Sequence, residues 1–256
     1  MTGEKSSLST EEDKTADGSQ NTVEAGEVPK LTFRIPTADE EFNRLWWTAN
    51  RVEHYKETHA NLVWPNNEEL RSLMTGFPKL KAGTKDKMRE VFSSKVYSAE
   101  TYQRSVAALE EARPTIEAAF PRFIDLANHW GVNFPNEIEI TVTAYGTGGN
   151  FNAKTGHIKA QINPENNFNN RGNPAHTPLH EIVHILTDED IAARYNLSFD
   201  ERERLVDDVV VALCSDLVPD YFRKHPDGSQ IDPYATAETL DFLPDSIAKY
   251  VKDFPR

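Results

Sequence analysis

One cysteine in 256 residues, Cys214, leaves the chain without an internal disulfide, the covalent staple on which small exported domains depend. Long hydrophobic runs are missing as well: the longest uninterrupted apolar stretch, Val209 to Cys214, is far short of the roughly 18 residues that cross a bilayer. Positive charge is scarce. With 28 Lys+Arg against 41 Asp+Glu the formal net charge is -13, which argues against nucleic acid or an anionic membrane as a partner, since both are held by basic surfaces. The longest basic stretch, Lys79 to Lys87, is short and loop-like. The N-terminus, MTGEKSSLSTEEDK, has no positive start followed by an apolar stretch. No secretory signal is read there, and cytoplasmic residence is expected, with export by another route or of a trimmed chain as the alternative.

Residues 1–30 carry seven acids, three lysines, eight Ser/Thr and no aromatic residue. They cannot bury enough apolar surface to offset the entropy of ordering, so a disordered acidic tail is expected. From Thr37 the pattern turns helical. Thr37 with Glu40 reads as a capping box, and Phe42, Leu45, Trp46, Ala49 and Val52 recur at helical spacing to about Glu57. Asn66 with Glu69 opens a short helix that Gly76 closes, and Met88, Val91 and Phe92 mark a third. Ser98 starts a helix through Leu109; Pro114 starts another that Pro121 should kink and Gly131 ends. The aromatic stripe of this region reads as ordinary core packing.

At Glu137 the period changes. Ile138, Ile140, Val142 and Ala144 alternate with polar residues, as do Ile158, Ala160 and Ile162. The two runs read as a hairpin or as neighbouring strands joined by a glycine-rich connection. The glycines of Gly146 to Gly149 lack the spacing and the following helix of a phosphate loop. An Asn/Pro/Gly-rich loop follows over 163–176, then a helix with Thr177 as cap and Pro178 in its first turn. Ser198 with Glu201 opens another through Leu205, Val209, Leu213 and Leu217, and the tail after Pro219 is mostly loop with a last helix near Ile247 to Val251.

The residues that carry chemistry lie on these two helices. His180-Glu181-Ile182-Val183-His184 places two imidazoles four residues apart, one above the other on a helix, where both reach one point. That point can hold zinc, and Glu181 on the adjoining edge can take a proton from a water activated there. A chance match to this pentapeptide is expected only about 0.02 times in a chain of this composition. On the next helix Glu203 and Asp207 share one face, and a catalytic zinc site needs a third protein ligand.

HEIVH followed by ERLVD resembles the gluzincin branch of zinc metallopeptidases; no third His follows at the metzincin spacing. The resemblance spans roughly Glu137 to Leu217 and does not extend to residues 1–130. It implies His180, His184 and Glu203 as ligands of one Zn²⁺, Glu181 as general base, and Asp207 as an acceptor orienting a ligand imidazole. It also implies a peptide or protein substrate held as an added strand along a sheet edge. The strand of Ile158, Ala160 and Ile162 is the expected edge, with selectivity from the loops 146–154 and 163–176. In this family a Tyr or His donates to the tetrahedral intermediate. Tyr195, eight residues before Glu203, stands about where related enzymes carry such a Tyr, with Tyr221, His225 and Tyr234 as competitors.

The fold class expected is α+β: a zincin-like catalytic domain over 132–256, with a small antiparallel or mixed sheet and active-site helices, preceded by a helical region over 31–131 and the tail 1–30. His54, His59 and His129 read as surface or core residues, His157 and His176 as exposed loop residues, and Cys214 as a buried small hydrophobe. A reading from another class is a helical binding protein with an inactive or structural metal site; it would show itself most readily by a missing ligand or a missing Glu181, and none is missing.

Overall fold

The computed structural model describes residues 28–57, 62–75, 83–161 and 173–255. The expected acidic tail up to residue 27, His59, the stop at Gly76, residues 79–82 of the basic stretch, Ile162 and most of the 163–176 loop lie outside the described residues. Among the described residues the architecture is α+β, with a four-stranded mixed sheet and helices on both sides of it in sequence.

The sheet runs in the order β1-β2-β4-β3, from β1 (Lys30–Arg34), β2 (Glu137–Thr143), β3 (Gly149–Asn152) and β4 (His157–Gln161). β1, β2 and β4 are parallel, with Phe33 opposite Ile140 and Ile140 opposite Ile158; β3 returns antiparallel on β4, with Phe151 opposite Ile158. Two expectations change here. The alternating runs of β2 and β4 are neighbours, yet they are parallel, and the hairpin is made by β3 with β4. β4 is therefore an interior strand, and the edge on that side is β3. The strand β1 lies in a stretch read as tail and helical region; its five residues alternate too briefly to stand out, and it is ordered by pairing along β2.

Helices α1 (Ala38–Asn50), α2 (Val52–Glu57), α3 (Glu68–Met74) and α4 (Thr84–Lys95) precede the long α5 (Ala99–Trp130). Thr37 caps α1 through the expected box, whereas α3 is capped by Asn67, one residue later than the spacing suggested. The expected break at Pro114 is absent. α5 runs through both prolines because one apolar face continues across them: Leu109, Ala112, Ile116, Phe120 and Phe123 are all buried, and that burial outweighs two lost backbone hydrogen bonds. Gly131, in the left-handed conformation, ends it.

The main core gathers β1, the inward residues Ile138, Ile140 and Val142 of β2, α5, and two later helices, α6 (His176–Thr187) and α7 (Phe199–Cys214). A smaller cluster of Phe42, Leu45, Leu70, Met88, Val91 and Phe92 joins α1, α3 and α4, and Tyr97 and Tyr145 pack against both. After α7 come two 3₁₀ segments, 226–234 and 240–242, and α8 (Leu243–Asp253). Among the described residues no helix is long and apolar enough to cross a membrane.

Ser198 accepts the N–H of Glu201 at the start of α7 while Glu201 accepts the N–H of Ser198. Ser198→Ala should lower unfolding stability by about 1 kcal/mol, read from the midpoint of a denaturant titration.

Candidate metal centre

All twelve residues of α6 are buried, so its register is dictated by packing on every side. The helix begins one residue before the expected cap. Asn173 takes the N–H of Ala175 on its side chain and that of His176 on its carbonyl. Pro178 falls in the first turn, where its missing N–H leaves no hydrogen bond unmade. At its far end α6 widens into one π-type turn, Asp188–Ala193, and Arg202 of α7 pairs with Asp188 at 3.0 Å.

His180 and His184 lie one turn apart with ring centroids 4.8 Å apart and Nε2 atoms 3.2 Å apart. Glu203 closes a triangle from α7: one carboxylate oxygen is 3.2 Å from His180 Nε2 and the other 3.4 Å from His184 Nε2. Ligands bonded at 2.0–2.1 Å in a tetrahedron stand about 3.3–3.4 Å from one another; the two imidazole nitrogens are at about that spacing, and each has one oxygen of the Glu203 carboxylate at a similar distance, Oε2 for His180 and Oε1 for His184. The donor set of two imidazoles and a carboxylate fits a divalent ion of zinc type, and the group His180, His184 and Glu203 can hold one. Burial alone would favour the neutral form of Glu203, but the charge and hydrogen bonds of His184 and His180 hold it well below the usual carboxylate range.

The two imidazoles are held by different means. His180 turns Nδ1 toward Asp207 Oδ1 at 3.1 Å and the Tyr221 hydroxyl at 2.9 Å, which leaves the Nε2 lone pair for the shared point. Asp207 has no exposed surface; it also accepts the Tyr221 hydroxyl at 2.6 Å and the Lys224 N–H at 2.6 Å. His184 instead lies flat on Phe151 of β3, centroids 4.9 Å apart and planes 4° from parallel. Its Nδ1 is buried without a hydrogen bond among the described residues.

Glu181 is buried beside the triangle, its carboxylate pressed on the backbone of Gly149 in β3, where any Cβ would collide with Oε1. This is the role of that glycine. Its signal in the sequence was a cluster of glycines with no visible reason. Tyr195 follows the π-type turn, packs on the main core and carries Arg194 5.4 Å above its ring. Among the described residues no hydrogen bond or ring contact joins it to the triangle. Tyr234 donates to Asp253 at 2.9 Å, and His225 Nδ1 lies 3.3 Å from Asp200. Of the competing residues only Tyr221 reaches the cluster, and it does so behind His180, on the Nδ1 side.

Two histidines depart from their expected places. His176 is the first residue of α6 and fully buried, with Nε2 3.1 Å from Asp220 and its ring edge-on to Tyr221 at 5.0 Å. His157 is a strand residue, its Nε2 2.8 Å from Thr141 Oγ1. Cys214 is buried as expected, and burial pushes its thiol up to about 12.

Asp207→Ala should weaken divalent-metal affinity by roughly ten- to a hundredfold, less than the loss of a direct ligand, in a competition titration with a chromophoric chelator. Tyr221→Phe, which removes one of the donors to Asp207, should weaken it less than Asp207→Ala. Comparison of the chain with protein-family models, curated proteins and solved structures finds no match in any of the three.

Proposed function

We propose that the protein is a zinc-dependent peptidase of gluzincin type, with a zincin-like catalytic domain and one Zn²⁺ per chain held by His180, His184 and Glu203. The observation that carries this reading is the cluster on two helices in which the His180 and His184 Nε2 atoms are 3.2 Å apart and the two oxygens of Glu203 lie 3.2 and 3.4 Å from them, with a buried carboxylate, Asp207, behind one imidazole and a second, Glu181, next to it in the chain. A zinc ion bound there supplies Lewis acidity, acidifying a water and polarising the scissile carbonyl.

The rest is done by the chain. Glu181 takes the proton of the attacking water and passes it to the departing amine. Its placement against Gly149 holds the carboxylate on the side of the helix that faces β3, the strand whose Phe151 stacks on His184. Asp207 and Tyr221 fix the tautomer of His180, so that its Nε2 stays a lone-pair donor through the cycle. A peptide held in extended form adds to β3, the strand that touches both Glu181 and His184, rather than to the interior strand β4. Main-chain pairing supplies affinity without reading sequence, so selectivity belongs to the side-chain pockets and to the 146–154 connection and the 163–176 loop. The alternative of an inactive binding protein would show itself by a missing ligand or a missing Glu181, and His180, Glu181, His184 and Glu203 are all present.

The test is Glu181→Gln in the full-length protein. The variant should retain stoichiometric zinc and the fold while hydrolysis of a peptide library falls by roughly a hundred- to ten-thousandfold. Dialysis of the wild type against chelator should abolish hydrolysis and added zinc should restore it. His184→Ala should fail to retain zinc. Turnover by Glu181→Gln at the wild-type rate, or the absence of any cleavage by zinc-loaded wild type, would overturn the reading.

A further inference from the structure

Helix α1 lies far from α6 in the chain, yet two of its side chains bind the connection between β2 and β3. Glu41, buried, accepts the Thr143 hydroxyl at 2.8 Å and the N–H groups of Ala144 at 2.8 Å and Tyr145 at 3.3 Å. One turn on, Arg44 donates through Nε to the Tyr145 carbonyl at 3.2 Å and through Nη2 to the Thr147 carbonyl at 3.1 Å and hydroxyl at 3.4 Å. The carboxylate takes the donors of the connection and the guanidinium takes its acceptors. Between them Gly146, at φ 91, pairs its N–H and carbonyl with Val63 at 2.8 and 2.9 Å.

The hold passes onward. The Thr147 hydroxyl that receives Arg44 donates to the Gly149 carbonyl at 3.2 Å, and Gly149 is the residue against which the Glu181 carboxylate rests. Burial pulls the Arg44 guanidinium below its usual range, and the charges of Glu41, Tyr55 and Glu181 oppose that by favouring the protonated form.

We propose that α1 is part of the active centre, with Arg44 and Glu41 as positioning residues that set the Glu181 carboxylate by holding Thr143 to Gly149 against it. The inference rests on Glu181 acting as the base, and it assigns the helical region a role that the resemblance, confined to later residues, does not supply. Arg44 touches no ligand of the metal triangle in this arrangement, so its loss leaves zinc in place. A lysine at position 44 cannot span the Tyr145 and Thr147 carbonyls, because an ammonium is a point charge where the guanidinium is a fork.

The experiment compares wild type, Arg44→Lys, Arg44→Ala, Thr147→Val and Gly149→Ala as zinc-loaded full-length proteins. Arg44→Lys should lower kcat by about 100-fold, the scale of a displacement of about 1 Å at a reacting group, with KM and zinc stoichiometry little changed. Thr147→Val, which cuts the hydroxyl link without uncovering a buried charge, should lower kcat in the same sense by less. Gly149→Ala, which drives Glu181 aside directly, should reproduce the kcat loss while Arg44 stays in place. In Arg44→Ala, millimolar guanidinium should restore part of kcat. Amide hydrogen exchange over residues 144–151 should quicken in Arg44→Lys whether or not a peptide substrate is cleaved. An inactive wild type with quickened exchange therefore fails the peptidase reading alone. Wild-type kcat in Arg44→Lys, or unaltered exchange over 144–151, overturns the role of α1.

Discussion

Asp207 sits on α7 with no exposed surface, and three donors from two stretches of chain converge on it: the imidazole of His180 from α6, and the hydroxyl of Tyr221 and the N–H of Lys224 from the segment after α7. An ionised carboxylate in such a place costs several kcal/mol unless its oxygens are filled, and each donor removed leaves about 1–3 kcal/mol unrecovered. α6, α7 and the segment after it can satisfy the group only in one mutual arrangement. That arrangement aims His180 Nε2 at His184 and Glu203, so the geometry of the triangle and the polar packing behind it have one cause. Arg204 reinforces it by tying Asp232 at 2.5 Å and the Lys224 carbonyl at 3.0 Å to α7, which keeps the returning segment in contact.

The sheet supplies the other wall. β2 and β4 bury Ile138, Ile140, Val142, Ile158 and Ala160 beneath α5 and α6, which leaves their alternate residues for the opposite side. Thr143 and Thr141 of that side meet polar partners, Glu41 and His157 respectively. The polar half of the alternation therefore has a structural role in this fold beyond solubility.

What could be read from the sequence is what local periodicity encodes. His180 and His184, and likewise Glu203 and Asp207, are separated by single helical turns, so their shared faces follow from spacing once the helices are recognised, and the Ser198 and Thr37 boxes mark helix starts by chemistry within four residues. Strand order is of another kind. Alternation marks the strands β2 and β4 but is blind to direction and neighbour, and β3, four residues rich in Gly and Asn, has little strand propensity of its own. Tyr221 and Glu41 contribute through contacts 41 and 102 residues away in sequence, distances at which no short pattern carries a signal. Pro114 misled because local stereochemistry opposes a helix that tertiary burial sustains.

β3 meets α6 through two residues of one face: Gly149 beneath Glu181 and Phe151 beneath His184. Residues two apart on a strand are about 6.6–6.8 Å apart, and the helix offers matching partners three residues apart. The turn that delivers this register is closed by Asn152, whose carbonyl accepts the N–H of Gly156 at 3.0 Å and whose side chain accepts that of Lys154 at 3.1 Å. Because strand side chains alternate, a slip of a single residue would turn Asn150 and Asn152 toward the helix and strip both contacts at once. Residues 152–156 act as a gauge block: their number keeps strand and helix in step, and Asn152 at one end and Gly156, at φ 68 with no room for a Cβ against the Glu137 carbonyl, at the other hold that number fixed.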